Sequence, residues 1–370
     1  EDRLVAACDT YNKLYPDNPD EIDLRYQAAL IVYDRHHYMD AARRFGEIIH
    51  KFPAERRSRD AADLTMYVLE SREEWLELNK LSRQFLANEK LLKPSPEFAS
   101  RVARVVEGSQ YKWIHEVVYQ KEKNPAKAAE LFLEYVKEFP RSENADRALT
   151  SAMVIFQEAG QLDRGVAAGE RVLTDYAGSP FEPKIRYTLA RLYEKLAEFR
   201  KAAAMYGAFV DTHDAATRAA DARKAKAVAS KGKDAKGKDS KSKDSMSGDA
   251  PSADEAKSRK EEERRELLAE ASKWVPDALF NAGLWWEGVG ESDKAISAYR
   301  SYIARFKDRP DVPQLAYNIG LVHEKDGKLA EAARAFESFA GTYGRDSRTT
   351  AAQLYLARYR QLIAYGKQKN

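Results

Sequence analysis

A single cysteine leaves this chain without an internal disulfide, although that does not fix its compartment. No apolar run is long enough to span a bilayer. Glycine is sparse, at 18 in 370 residues, and with 33% charged residues this favours helix over sheet. A net charge of only +3 argues against a dedicated nucleic-acid binder, which needs a larger basic surplus. Catalytic signatures are missing too. The chain has no Gly-rich phosphate loop, no Gly-x-Ser-x-Gly and no His-Glu-x-x-His. Its six histidines, His36, His37, His50, His115, His213 and His323, show no metal-ligand spacing with cysteine or acidic partners. No catalytic residue, cofactor or metal ligand is therefore expected.

What is there is a recurring phrase. Ala128, Phe132, Tyr135, Phe139 and Pro140 share one helical stripe that ends in a stop, because 3.6 residues per turn bring these offsets to a common face. Ala41, Phe45, Ile48, Phe52 and Pro53 repeat it. So do Ala202, Tyr206 and Phe209; Ala295, Tyr299, Tyr302 and Phe306; and Ala332, Phe336, Phe339 and Tyr343. Gly165, Gly169, Val172 and Tyr176 form a degenerate copy, and the second copy keeps only Phe85, with Leu78 and Ser82 in the other places. The steps from 128 to 165 to 202, and from 295 to 332, are each 37 residues. A fixed period in this range marks a repeat array of helix pairs.

The register also locates irregularities. Leu4, Cys8, Tyr11 and Tyr15 match a second helix whose first helix is missing, so the natural protein is expected to extend further N-terminally. Leu4-Val5-Ala6-Ala7-Cys8 matches a lipoprotein signal by letter, but Glu1-Asp2-Arg3 occupies the place of the required apolar stretch. Cys8 is read as a small buried residue of the stripe. Thirteen extra residues surround Lys93-Pro94-Ser95-Pro96, followed by one long helix over Glu97–Glu122 with Gly108 as its weak point. Asn124-Pro125 reads as a cap and first residue of the next helix. Fifty-six residues are inserted before Ala295. Residues 230–258 lack aromatic and branched aliphatic side chains and are expected to be disordered, with helical extensions on either flank. The organisation is thus an array over 1–213 that starts mid-repeat, a Lys/Ala/Ser/Asp-rich insert over 214–273, and an array over 274–370. Its last helix, 347–365, is expected to cap the array with a polar second face.

Helix pairs with alanine and then an aromatic four residues on resemble the tetratricopeptide repeat. Gly283 and Trp286 precede Ala295 by twelve and nine residues, and Gly320 and His323 stand likewise before Ala332. The spacing of 37 departs from the family's usual 34. The resemblance implies an all-α solenoid coiled as a right-handed superhelix, and a non-catalytic scaffold that binds other proteins as a peptide segment or an assembly subunit. The closing phrases Lys51-Phe52-Pro53 and Glu138-Phe139-Pro140 look like the subfamily of bacterial cell-envelope assembly proteins. The Lys/Ala/Gly/Asp insert resembles those of myxobacterial envelope proteins, including tetratricopeptide lipoproteins of the gliding-motility machinery. The implied location is the periplasmic side of the envelope, with the cytoplasm as the alternative.

In that register, the fifth position of the first helix of each pair holds Tyr26, Trp113, Tyr187, Phe280 and Tyr317, with Arg191 close by. These are the partner-binding candidates, since aromatic rings bury large area at low entropy cost. The competing reading packs the same rings against the first helix of the next pair. A carboxylate clamp of lysine and asparagine is excluded, because the first pair has Tyr and Leu in those places. Two other functions remain open. The Lys-rich run at 231–243 suits an anionic polymer or lipid, or simply a solvated tether. An enzyme site between repeats is the other.

Overall fold

The computed structural model describes residues 2–16, 18–231 and 253–368, and all secondary structure among them is helical. The chain divides into two compact units, Glu1–Ile155 and Phe156–Asn370. In each, helices pair as the register requires, giving an all-α helix-pair solenoid.

The first unit opens with α1 (Asp2–Leu14), followed by the pairs α2 (Glu21–Asp34) with α3 (Tyr38–Lys51) and α4 (Arg56–Ser71) with α5 (Trp75–Leu86). Cys8 is buried on α1. The stripe residues Ala41, Phe45 and Ile48 are wholly buried. The second pair departs from expectation. Not only Phe85 but also Leu78 and Ser82 are buried, and Trp75 adds the bulk that serine lacks. The thirteen extra residues form α6 (Glu89–Leu92), a single turn, and lead to α7 (Pro96–Lys112). Ser95 caps α7 by accepting a hydrogen bond from the Phe98 amide, and Pro96 occupies the first turn.

Helix α7 runs through Gly108 without interruption, nothing crowds that glycine, and the irregularity comes later. The segment Trp113–Lys121 is π-helical. The buried positions Val102, Val106, Ser109, Ile114 and Val118 explain why. Their spacing contains one step of five, from 109 to 114, and only an i to i+5 turn keeps that step on one face. The pair closes with α8 (Pro125–Glu138), where Asn124 accepts from the Lys127 amide as the cap. Helix α9 (Ala145–Glu158) spans the division between the units.

The second unit continues with α10 (Leu162–Asp175), α11 (Glu182–Lys195) and α12 (Phe199–Lys231). Then come α13 (Ala253–Ser272), the pair α14 (Val275–Gly288) with α15 (Ser292–Arg305), the pair α16 (Val312–Lys325) with α17 (Leu329–Tyr343), and α18 (Ala351–Gln368). Helix α12 runs beyond its repeat, and α13 returns antiparallel to it. His213 bonds Ser272 at 2.8 Å, and Arg223 pairs with Glu261 at 3.4 Å. Of the stretch expected to be disordered, residues 232–252 lie outside the described residues, and so does the Lys-rich run beyond Lys231. Its two ends fall inside α12 and α13, because Ala, Lys and Glu are strong helix formers.

Two features recur among the pairs. In three of them the closing aromatic leaves the helix with nearly the same dihedrals: φ −126, ψ 51 at Phe52; φ −127, ψ 49 at Tyr176; φ −126, ψ 48 at Phe306. Proline follows only the first of these three, so the stop does not need it. Second, each turn between paired helices places one residue in the left-handed region. These residues are His36, Glu73, Lys123, Gly160, Ala197, Gly290 and Gly327, at φ between 52 and 79. At six of these seven turns the next amide reaches back five residues, for example Glu198 to the Tyr193 carbonyl at 2.9 Å and Lys328 to the His323 carbonyl at 3.0 Å; after the π-helical segment Asn124 reaches back six, to the Val118 carbonyl at 3.0 Å. The five-residue bond closes the helix as a Schellman motif.

The small residues expected between paired helices are where contact is tightest. A Cβ on Gly283 would meet the Tyr299 ring at 2.3 Å, and one on Gly320 the Phe336 ring at 2.5 Å. The last helix starts at Ala351 rather than 347, because Thr350 and Gln353 form a reciprocal capping box. The segment before it is held open by Arg348, which donates to the Lys307 and Arg309 carbonyls at 3.0 and 2.8 Å. The outer face of α18 is not polar: Tyr355 and Leu362 are 70% and 69% exposed.

Candidate functional site

The first helix of each pair carries the candidates, and Tyr26, Tyr187, Phe280 and Tyr317 pack on the second helix of their own pair. Tyr187 also stacks on Trp274, at the start of the next pair's first helix, as the competing reading expects. Tyr26 lies 5.8 Å from Phe45, Phe280 lies 6.3 Å from Tyr302, and Tyr317 is 5.5 Å from both Phe336 and Phe339. Tyr187 meets Tyr206 and Phe209 at 5.7 and 5.4 Å and stacks on Trp274 at 5.0 Å. The geometry follows from the offset of the stripe. The second helix presents its large ring opposite the fifth position of the first, and edge or tilted contacts at these distances are favourable.

Exposure separates the candidates. Tyr26 and Tyr317 are each only 7% exposed and belong to the core. Trp113 is half-buried on the core of the first unit, with Lys127 above its ring at 6.0 Å. Tyr187 and Phe280 are half-buried, and Arg191 is exposed.

Those last three come together. Tyr187, Arg191 and Phe280 line a cavity of about 250 Å³ in the second unit, with Glu194, Asp277 and Asp311 among the other walls. The Tyr302 hydroxyl donates to Asp311 at 2.6 Å through one carboxylate oxygen; the other, Oδ1, is buried without a partner. Glu194 accepts from the Trp285 indole. Asp277 faces Arg309 at 3.9 Å. Burial raises the Tyr187 hydroxyl above the usual phenol range, and Asp277 adds to this while Arg191 opposes it. Tyr302 is raised by burial and then by its bond to Asp311. These hydroxyls are hydrogen-bond donors at any ordinary pH. The cavity therefore offers ring faces, one exposed guanidinium and several carboxylate acceptors, an inventory suited to gripping a peptide.

Sequence reasoning missed Asp277, Asn281 and Asp311 in this wall. Asp311 immediately precedes α16, yet its carboxylate accepts from Tyr302 and caps no helix amide. Also unforeseen was a ring–cation pairing on the other side of three of the pairs. Arg164 lies over Phe156 at 4.1 Å, Lys201 over Tyr193 at 5.2 Å and Lys294 over Trp286 at 4.3 Å. Each cation follows its ring by eight residues. Where the ring is absent, at Val32, Leu69 and His323, the eighth residue on is acidic: Asp40, Glu77 and Glu331.

Among the described residues, no three His, Cys, Asp or Glu side chains gather as a metal site, and no helix is long and apolar enough to cross a membrane. Residues 288–347 match the tetratricopeptide repeat family profile. No curated protein matches the chain. Solved structures similar to it include MamA, at 14% identity over 65% of this chain and 96% of that one, with a TM-score of 0.35. PilW, a widely conserved type IV pilus biogenesis factor, is 13% identical over 80% of this chain and 99% of its own, with a TM-score of 0.29. A signal-transduction ATPase with a tetratricopeptide repeat sensor, from Pyrococcus horikoshii, is 13% identical over 94% of this chain and 42% of its own, with a TM-score of 0.36. Scores this low carry no argument about what the present chain binds. The family match over 288–347 spans α15, α16 and α17, and the other helix pairs share their register.

Proposed function

We propose that this chain is a non-catalytic interaction scaffold that holds a peptide segment or a subunit of an assembly against the first-helix face of its pairs. The observation that carries this reading is the cavity at Tyr187, Arg191 and Phe280. Three positions singled out by repeat register line a single space there, with exposed donor and acceptor groups around half-buried rings. Tyr26, Trp113 and Tyr317 act in this reading mainly by shaping the helices on which they sit.

Arg191 is the best point of attack because it is exposed and bears no packing load. A charge reversal, Arg191→Glu, should leave thermal unfolding unchanged and sharply reduce recovery of proteins that co-purify with the wild-type chain. Undiminished recovery, with Tyr187→Ala also without effect, would remove this surface from the interaction.

We further propose that the assembly belongs to a bacterial cell envelope, on its periplasmic side, with a motility complex and lipid anchoring as the specific form. The closing phrases at Lys51-Phe52-Pro53 and Glu138-Phe139-Pro140 and the Lys/Ala/Gly/Asp insert support this reading. Protease accessibility in spheroplasts of the source cells is the test: protection until the inner membrane is broken would place the protein in the cytoplasm.

A further inference from the structure

On the second-helix side of the last two pairs lies a cleft that the scaffold reading does not use. It runs between α15 and α17 over α16, measures about 680 Å³, and shares no lining residue with the cavity at Tyr187. Its register equivalent, between α12 and α15 over α14, measures about 420 Å³.

Four replacements between the two repeats account for the difference in character. Trp286 fills the earlier cleft and is covered by Lys294; His323 and Glu331 stand in the same places of the later one. Gly207 and Ser297 of the earlier cleft correspond to Arg300 and Arg334 of the later. The earlier lining has Asp211 and Asp293 against Lys294 and Arg305, so its charges balance. The later lining has two arginines against Glu331 alone, and Arg334 already holds Glu331 at 3.3 Å. Arg300 makes no ion pair among the described residues. The floor, built of Ile303, Ile319 and Phe339, is apolar. His323 is 9% exposed, and its buried Nδ1 makes no hydrogen bond.

We propose that this cleft binds an acidic peptide segment of another protein, with an apolar side chain seated on the Ile303–Ile319–Phe339 floor. Its carboxylates answer the unpaired positive charge of Arg300 and the share of Arg334 that Glu331 leaves unused. The choice of occupant rests on charge complementarity and on the apolar floor between the arginines. His323 adds a second handle. In the free protein burial lowers the pKa of its imidazole, and Arg300 and Lys328 add to this, against Glu331 and Asp326. A carboxylate entering the cleft shifts that balance toward the protonated ring, so binding takes up a proton and tightens as the pH falls through the histidine range.

The test is fluorescence anisotropy on the full chain, with a fluorescein-labelled peptide alternating Glu with Leu and a control alternating Gln with Leu. The Glu peptide should bind saturably and about tenfold or more tightly than the Gln peptide. Arg300→Ala with Arg334→Ala should abolish that preference, and both side chains are exposed, so the fold is retained. His323→Phe should remove the pH dependence. Arg191→Ala, in the other cavity, should change nothing. Absence of saturable binding, equal binding of the two peptides, or loss of binding on Arg191→Ala alone would overturn the proposal. The last outcome would leave the scaffold reading standing.

Discussion

At the scale of single residues, the array is governed by a few positions whose requirements are steric. The left-handed turn residue is glycine at 160, 290 and 327 but Ala197, His36, Glu73 and Lys123 elsewhere. A Cβ in that conformation costs about 1–2 kcal/mol, so Ala197→Gly should stabilise the protein by roughly 1 kcal/mol after glycine's own entropy cost is set against it. Chemical denaturation measures this, and a destabilised variant would mean that the turn is not held as described. Gly320 makes the opposite demand. Gly320→Val would force the Phe336 ring from a fully buried position, and should cost about 1–3 kcal/mol, as overpacking does. An unchanged denaturation midpoint would show that the two helices part without penalty.

At the scale of helices, boundaries follow local chemistry more closely than the repeat template. Helix α18 begins at the capping box of Thr350 and Gln353, four residues after the position that periodicity alone suggests. Thr350→Ala should cost about 1 kcal/mol and fray the first turn, visible as faster amide exchange at residues 351–354. Exchange rates equal to wild type there would mean that Arg348, anchored on the carbonyls of residues 307 and 309, sets the start instead. The π-helical turn at 113–121 makes the same point. A template of 3.6 residues per turn cannot represent a five-residue step, and glycine looked like the weak place because propensity is read one residue at a time. Packing decided otherwise, since Ile114 and Val118 had to return to the buried face.

At the scale of the molecule, the buried tyrosines tie stability to pH. Burial pushes Tyr193, Tyr206, Tyr299 and Tyr302 above the ordinary phenol value of 10.0, and acceptors such as Glu170, Glu194, Glu287 and Asp311 push them further. Because the folded state raises these values, the unfolded chain ionises first. The stability they contribute is full below pH 10 and falls as the pH rises beyond it. Alkaline titration should therefore show tyrosinate absorbance and loss of helical circular dichroism in one cooperative step. Tyr299→Phe with Tyr302→Phe should move that step to higher pH. A gradual phenol titration near 10 with intact helix would refute the coupling.

The sequence by itself determined the helix pairs, their register, the added residues and the identity of the stripe, because a period of 37 with fixed aromatic offsets allows few ways to bury those rings. Tertiary structure alone decided which rings are walls and which are core. Tyr26, Tyr187 and Tyr317 hold one register position, yet Tyr187 borders a cavity while the other two are 7% exposed. That difference arises from neighbours far along the chain. Asp277, Asn281 and Asp311 reach the cavity from α14 and from the start of α16, and Trp274 turns its face to Tyr187 from beyond the insert. Periodicity specifies the face of a helix on which a side chain lies. Whether space is left in front of it depends on the size and charge of residues from other helices, which no local pattern contains.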